Sequence, residues 1–243
     1  MSTEPLSQPT SGHLAFVPPV FAPPPVEINN GDRMNREEFH RLYEQTPEEF
    51  KAELIGGIVY VASPLRLSHG RPHSLLIALL AAYEGRTPGV ELSDNTTVLL
   101  GDEGEPQPDA FLRISPEHGG QSTTKDDYVE GAPEFVAEIA LSSRAIDLHA
   151  KKDDYARYGV REYLVACVRE KQIRWFDLAA GAELRADAAG IHRIGVFPGL
   201  WIDGPALFAH RHQQLMETLE RGLATPEHAK FVSELAQRRD QSR

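Results

Sequence analysis

The stretch PEFVAEIAL, residues 133–141, places a carboxylate in the middle of an otherwise apolar segment. With the period-two alternation of a strand, Val136, Glu138 and Ala140 point to one face of a sheet, and the odd-numbered residues between them point to the other. Apolar residues on both faces indicate a strand that is buried on both sides. An unpaired carboxylate is costly there, so the segment predicts a central strand in which Glu138 has a partner.

A second buried strand begins with an acid. In PDAFLRI, residues 108–114, Asp109 directly follows a proline and precedes an apolar run. A hard cation such as Mg²⁺ would satisfy Asp109 and Glu138 together, because it prefers oxygen ligands. Two alternatives stay open: Asp109 is an ordinary turn residue after proline, or Glu138 pairs with an arginine such as Arg113.

The segment SRAIDLHAKKDDYARYG, residues 143–159, predicts an amphipathic helix that ends at Gly159. Asp147, Lys151 and Tyr155 recur at four-residue steps and therefore share one helix face. From that face Lys151 can reach the carboxylates, where it would hold a water nucleophile or stabilise phosphate charge. A catalytic role predicts that Lys151→Ala abolishes activity with little change in melting temperature. The alternative is a solvated lysine paired with Asp147.

The remaining elements occur in blocks of strands separated by helices, which predicts an α+β (mixed α/β) fold. Its further elements include an N-terminal β-hairpin around Gly56 and Gly57 and two C-terminal helices between 205 and 240. Residues 1–32 are rich in proline and predict a flexible arm. We expect three parts: the arm at 1–32, the main domain at 33–203 and a helical tail at 204–243.

Composition limits the functions that the chain can have. Its 243 residues carry a net charge of −11, which is unfavourable for generic binding of nucleic acid. The segment 144–161 is locally basic, with five Lys or Arg residues against three aspartates, and predicts a modest positive patch. The single cysteine, Cys167, and the absence of an apolar run of membrane-spanning length favour a cytoplasmic protein.

Beyond these features, the chain resembles a known family. The segments PQPDAFLRI (106–114), PEFVAEIALSSRAIDLHAKKDDYARYGVREYLV (133–165) and VFPGLWID (196–203) are similar to the Uma-two family of the PD-(D/E)XK nuclease superfamily. The similarity runs from about residue 34 to residue 235 in unbroken order. It implies a restriction-endonuclease-like core, in which helices flank a mixed β-sheet. It also implies a DNA substrate and a Mg²⁺ or Mn²⁺ cofactor.

The resemblance also implies the site residues. Asp109 matches the aspartate of the PD element and Glu138 matches the acid of the (D/E)XK element, so these two residues would hold the metal. Ala140 stands where the superfamily usually has lysine, and Lys151 in the following helix matches the position that replaces it. Additional family positions are matched by Glu53 and His73.

Two further readings of the sequence remain. The first is a catalytically inactive binding or assembly module that keeps the nuclease fold, which the acidity favours; the second is a carboxylate-pair hydrolase acting on another substrate. A homodimer is compatible with the sequence. His69 and His73 are four residues apart, but Pro72 suits the first position of a helix, so His69 is expected in a loop and a zinc site is disfavoured.

Overall fold

The computed structural model describes residues 27–241, and a six-stranded mixed sheet forms its centre. The strand order is β11-β10-β9-β8-β5-β3; β8 and β9 run parallel, and the other neighbours are antiparallel. Its strands are β3 (Val90–Ser93), β5 (Ala110–Ile114), β8 (Phe135–Ala140), β9 (Glu162–Cys167), β10 (Gln172–Asp177) and β11 (Ala182–Leu184). This mixed sheet flanked by helices confirms the predicted fold class.

Smaller elements surround this sheet. Three smaller sheets pair β1 (Ala52–Ile55) with β2 (Ile58–Val61), β12 (Ile191–Arg193) with β13 (Trp201–Asp203), and β4 (Val98–Leu99) with β7 (Tyr128–Glu130) and β6 (Thr123–Lys125). The helices are α1 (Arg36–Tyr43), α2 (Leu67–Glu84), α3 (Arg144–Ile146), α4 (Lys152–Tyr158), α5 (Gly204–Phe208), α6 (His212–Leu223) and α7 (Pro226–Gln241). A π-helical turn, Asp147–Lys151, joins α3 to α4, and a 3-10 turn covers Pro116–His118.

Alternate side chains of β8 point into two separate hydrophobic cores. Phe135, Ala137 and Ile139 pack with α2, α6 and α7 in the larger core. Val136 and Ala140 pack on the other face, against residues of the α3–α4 segment and β9. Glu138 has the same parity as Val136, so its carboxylate lies on the α3–α4 side of the sheet, as the sequence pattern predicts.

The first helix and the hairpin form a third layer. One face of the β1–β2 hairpin packs on α1, with Leu54 and Val59 fully buried beside Phe39. Ile28 joins this cluster, and the amide of Gly31 donates to the carbonyl of Val59, so residues 27–32 pack against the hairpin. The rest of the expected arm, residues 1–26, lies outside the described residues.

Helix α2 corrects the predicted boundary. It begins at Leu67 and contains Pro72 within its first turns, so His69 is helical rather than part of a loop. The expectation that His69 lies in a loop is therefore wrong, and the His69 and His73 ring centroids lie 5.7 Å apart. The C-terminal region has three helices instead of two, and α6 and α7 contribute Leu215, Leu219 and Leu235 to the larger core.

Candidate active site

Glu138 lies at the centre of a buried polar cluster. Its Oε1 accepts hydrogen bonds from Lys151 Nζ at 2.9 Å and from Tyr155 Oη at 3.0 Å. Lys151 Nζ also contacts Oε1 of Glu53 at 2.8 Å, and only 6% of the lysine side chain is exposed. Lys151 is thus not a solvated helix lysine, and its ion-pair partners are Glu53 and Glu138 rather than Asp147.

Asp109 meets this cluster across the β5–β8 pair. Ala110 pairs with Ala137 in antiparallel register, so Asp109 and Glu138 occupy neighbouring positions of adjacent strands. The amide of Asp109 donates to Glu138 Oε2 at 3.3 Å, and Asp109 Oδ2 accepts from the amide of Ile139 at 2.7 Å. The two carboxylates therefore share one face and one small volume.

The alternative partner for Glu138, Arg113, is bonded to other residues. Arg113 Nε donates to Glu91 Oε2 at 2.7 Å. Its guanidinium also donates to the Thr123 carbonyl and the Thr124 hydroxyl, which lie on the neighbouring β6 strand. Arg113 therefore has its own acidic partner and does not neutralise Glu138.

Two histidines of α2 border the carboxylates. His69 Nε2 lies 3.3 Å from Asp109 Oδ2, and His73 Nε2 lies 2.9 Å from the Asp109 carbonyl and 3.1 Å from Asp94 Oδ1. Sequence reasoning identified His73 but missed His69, because the helix was predicted to begin at Pro72. The four-residue spacing of the pair was the signal that could have found it.

Electrostatics in the cluster favour additional positive charge. Burial raises the pKa of Glu138 well above its ordinary value; Lys151 opposes this, whereas Asp109, Asp147 and Glu53 add to it. Burial likewise raises the pKa of Asp147 to about 6. Burial lowers the pKa of Lys151, but the surrounding acids outweigh it and hold the pKa well above its usual value. One lysine faces four carboxylates, so the site has an excess of negative charge.

At Asp109, just before β5, the balance between burial and neighbouring charges differs from that at Glu138. Burial raises the pKa of Asp109, but the hydrogen bond and charge of His69, the Ile139 amide and Lys151 together hold it below the ordinary value. For His69, burial lowers the pKa, and the hydrogen bond and charge of Asp109 reverse this and raise it. Asp109 is therefore ionised near neutral pH.

The donor set fits a divalent cation of the magnesium type in part. Asp109 and Glu138 supply carboxylate oxygens and the cluster lacks positive charge, but residues 27–241 contain no group of three or more His, Cys, Asp or Glu side chains arranged to hold a metal ion. Mg²⁺ commonly binds one or two carboxylates and completes its octahedron with water and substrate phosphate. The pair therefore suits Mg²⁺ or Mn²⁺ better than a cation that requires an all-protein cage.

The predicted positive patch on 144–161 does not form. Arg144 contacts Glu170, Lys152 contacts Asp153, and Arg157 contacts Glu103. Lys151 is buried in the cluster described above. These pairs neutralise most of the cations in the segment, so it does not present a positive surface. None of the helices within residues 27–241 is long and apolar enough to cross a membrane.

Comparison with known proteins identifies relatives of the chain. The Uma2 family, described as "Putative restriction endonuclease", matches residues 36–203. The fold is similar to a crystal structure described as "a putative nuclease belonging to DUF820" from Anabaena variabilis ATCC 29413. The TM-score is 0.52 at 14% identity, covering 70% of this chain and 96% of that chain. No curated protein matches the sequence.

Proposed function

We propose that this chain, which belongs to the Uma2 family described as "Putative restriction endonuclease", is a metal-dependent endonuclease that hydrolyses DNA phosphodiester bonds. The observation that carries the proposal is the meeting of Asp109 and Glu138 on adjacent strands, with the buried Lys151 bonded to Glu138. Carboxylates beside a lysine in a desolvated site can bind a cation and act on phosphate charge.

Asp109 and Glu138 are the proposed metal ligands. A divalent cation bound there would polarise the scissile phosphate and lower the pKa of a bound water. Glu138 Oε1 is occupied by Lys151 and Tyr155, which fixes the orientation of the carboxylate and leaves Oε2 directed towards Asp109. His73 donates to the Asp109 carbonyl or to Asp94, which steadies the backbone where β5 begins.

Lys151 is the proposed residue that assists the water nucleophile. An ammonium group has three N–H donors, and two of them are directed to Glu53 and Glu138. The third can bind the attacking water or a phosphate oxygen. Glu53 Oε1 also accepts from the amide of Gln107 at 2.7 Å, so its role is to hold Lys151 in position.

The proposal is tested by calorimetric titration of Mg²⁺ and Mn²⁺, together with cleavage of supercoiled plasmid. Wild type should bind the metal and should nick DNA only when the metal is present. Asp109→Asn should lose both metal binding and DNA cleavage. Asp153→Asn is the matched control, because Asp153 is an exposed acid on α4 and should behave as wild type. Metal-independent cleavage, or unchanged cleavage by Asp109→Asn, would contradict the proposal.

A second candidate is a catalytically inactive module that keeps the nuclease fold. It is favoured by the net charge of −11 and by the two-carboxylate donor set, which holds a metal only weakly by itself. The same titration separates the two functions. An inactive module predicts no heat of binding for either metal and no difference between wild type and Asp109→Asn.

A further inference from the structure

The two faces of the β1–β2 hairpin differ. Leu54 and Val59 point to α1, so Glu53 and its direct partner Tyr60 point to the opposite side, where Glu53 reaches Lys151. Directly opposed residues of an antiparallel pair have Cβ atoms about 5 Å apart. Tyr60 is only partly buried and therefore presents an aromatic ring beside the candidate active site.

An exposed segment continues from this hairpin to α2. Residues 62–68 are all exposed, and the segment ends at His69, whose ring contacts Asp109. Within residues 27–241 the exposed large apolar side chains are Leu65 and Leu67, at 70% and 76% exposure. Single exposed leucines are ordinary, but this pair flanks Arg66 on a segment attached to the site at both ends.

Two cations border the same surface. Lys51 precedes Glu53 by two residues, so it extends the face of the β1–β2 hairpin that carries Glu53 and Tyr60, and its carbonyl accepts from the amide of Ala62. The exposed side chains of Lys51 and Arg66 make no ion pair or hydrogen bond within the described part of the chain. They differ in this from Arg157, whose charge is satisfied by Glu103.

We propose that a rim beside the candidate active site binds the substrate, an inference that rests on the proposed function. The rim is formed by Lys51, Tyr60, Leu65, Arg66 and Leu67. The substrate is DNA with unpaired bases beside the scissile phosphate. Tyr60 stacks on a base, Leu65 and Leu67 cover its neighbour, and the two cations bind flanking phosphates. Base faces are accessible to such side chains only where the duplex is unstacked, which selects single strands, forks and ends over continuous duplex.

The test measures binding apart from cleavage. A labelled single-stranded oligonucleotide and the matching duplex are titrated with the full chain in EDTA, which withholds the metal. Wild type should bind the single strand more tightly than the duplex. Tyr60→Ala should weaken single-strand binding by about tenfold, as loss of one stacked base does, and Tyr60→Phe should bind as wild type. Tyr128→Ala, at a half-buried tyrosine of β7, is the control and should not change binding.

The cations and leucines have their own matched variants. Lys51→Gln with Arg66→Gln should reduce the salt-dependence slope for single strands by about 1.4, the value for two lost phosphate contacts. Arg185→Gln, just beyond edge strand β11, should leave the slope unchanged. Leu65→Ser with Leu67→Ser should weaken single-strand binding, whereas the double methionine variant should retain it.

Equal binding of single strand and duplex, or rim variants that bind as wild type, would overturn the inference while leaving metal-dependent cleavage through Asp109 intact. Rim-dependent binding without cleavage in Mg²⁺ or Mn²⁺ would support the rim and refute the endonuclease. Sedimentation of the leucine double variant decides between DNA and a second copy of the chain: an unchanged mass supports the rim as a DNA surface, and a dimer converted to monomer overturns it.

Discussion

Replacing Lys151 by methionine removes the cation of a buried cluster and leaves the shape of the side chain nearly intact. Its Nζ lies 2.8 Å from Glu53 and 2.9 Å from Glu138, and 6% of the side chain is exposed. Loss of one partner from a buried ion pair costs about 3–5 kcal/mol, because the remaining carboxylates lose their compensation. For a chain of this size the melting temperature should fall by about 6–20 °C.

This expected fall in melting temperature differs from the prediction made from sequence, in which loss of the Lys151 side chain left the melting temperature nearly unchanged. The difference follows from burial, since an exposed helix lysine contributes little to stability. Lys152→Met is the internal control: Lys152 is 31% exposed, contacts the exposed Asp153 and lies 5.6 Å from the centroid of the Phe176 ring, so its removal should change stability by less than about 1 kcal/mol.

The pH dependence of protein stability provides a second check on the role of Lys151. The pKa of Glu138 is raised above its unfolded value of 4.5, mainly by burial, so the folded state binds more protons than the unfolded state above that pH. Stability lost in Lys151→Met is therefore greatest at neutral pH and is recovered as the pH falls and Glu138 protonates. Chemical denaturation across the pH range in EDTA measures both effects. Unfolding free energies of the Lys151 and Lys152 variants within about 1 kcal/mol of each other at neutral pH would refute the argument.

Two further predictions concern Asp147 and two helical glycines. Burial raises the pKa of Asp147 to about 6, compared with its ordinary value of 3.8. Asp147→Asn should therefore stabilise the metal-free protein by up to about 3 kcal/mol at neutral pH, and this gain should disappear as the pH falls towards 3.8. A pH profile of denaturation identical to that of wild type would contradict this. Gly222→Ala should destabilise by about 1–3 kcal/mol, because its Cβ would lie 2.2 Å from the Gly199 carbonyl oxygen. Gly70→Ala, with no atom within 4 Å of its Cβ, should instead stabilise α2 by about 0.5–1 kcal/mol, and equal melting temperatures of the two variants would refute the steric argument.

The sequence predicted the central strands well because their pattern reports burial directly. The alternation in residues 133–141 assigned Val136 and Ile139 to opposite cores, as the structure has them. The meeting of Asp109 with Glu138 was expected from adjacent strands, and antiparallel register produces it. Gly159 ends α4 in the left-handed conformation, with φ of 97°, as its position after the periodic run predicts.

The parts that sequence reasoning missed depend on contacts between distant segments. Proline at position 72 suggested a helix start, yet α2 begins five residues earlier, which brings His69 to Asp109. The π-helical turn Asp147–Lys151 changes the helical phase, so equal four-residue spacing does not describe how Lys151 reaches Glu138. Neither the early start of α2 nor the π-helical turn is marked by local sequence, because the helix propensities of these residues are equally compatible with a later start and with a regular α-helix.

The acidity of the chain is compatible with a nucleic-acid substrate when distance and screening are considered. The net charge of −11 is a sum over the whole chain, and exposed charges further apart than about 8 Å are largely screened at physiological ionic strength. Glu138, a buried acid of the site, is partly neutralised by Lys151 and by its raised pKa. In the proposed complex the DNA phosphate contacts the rim first, where Lys51 and Arg66 have no acidic partner in the described chain. Two such contacts support weak, local binding with a shallow dependence on salt, which suits an enzyme that has to release its product.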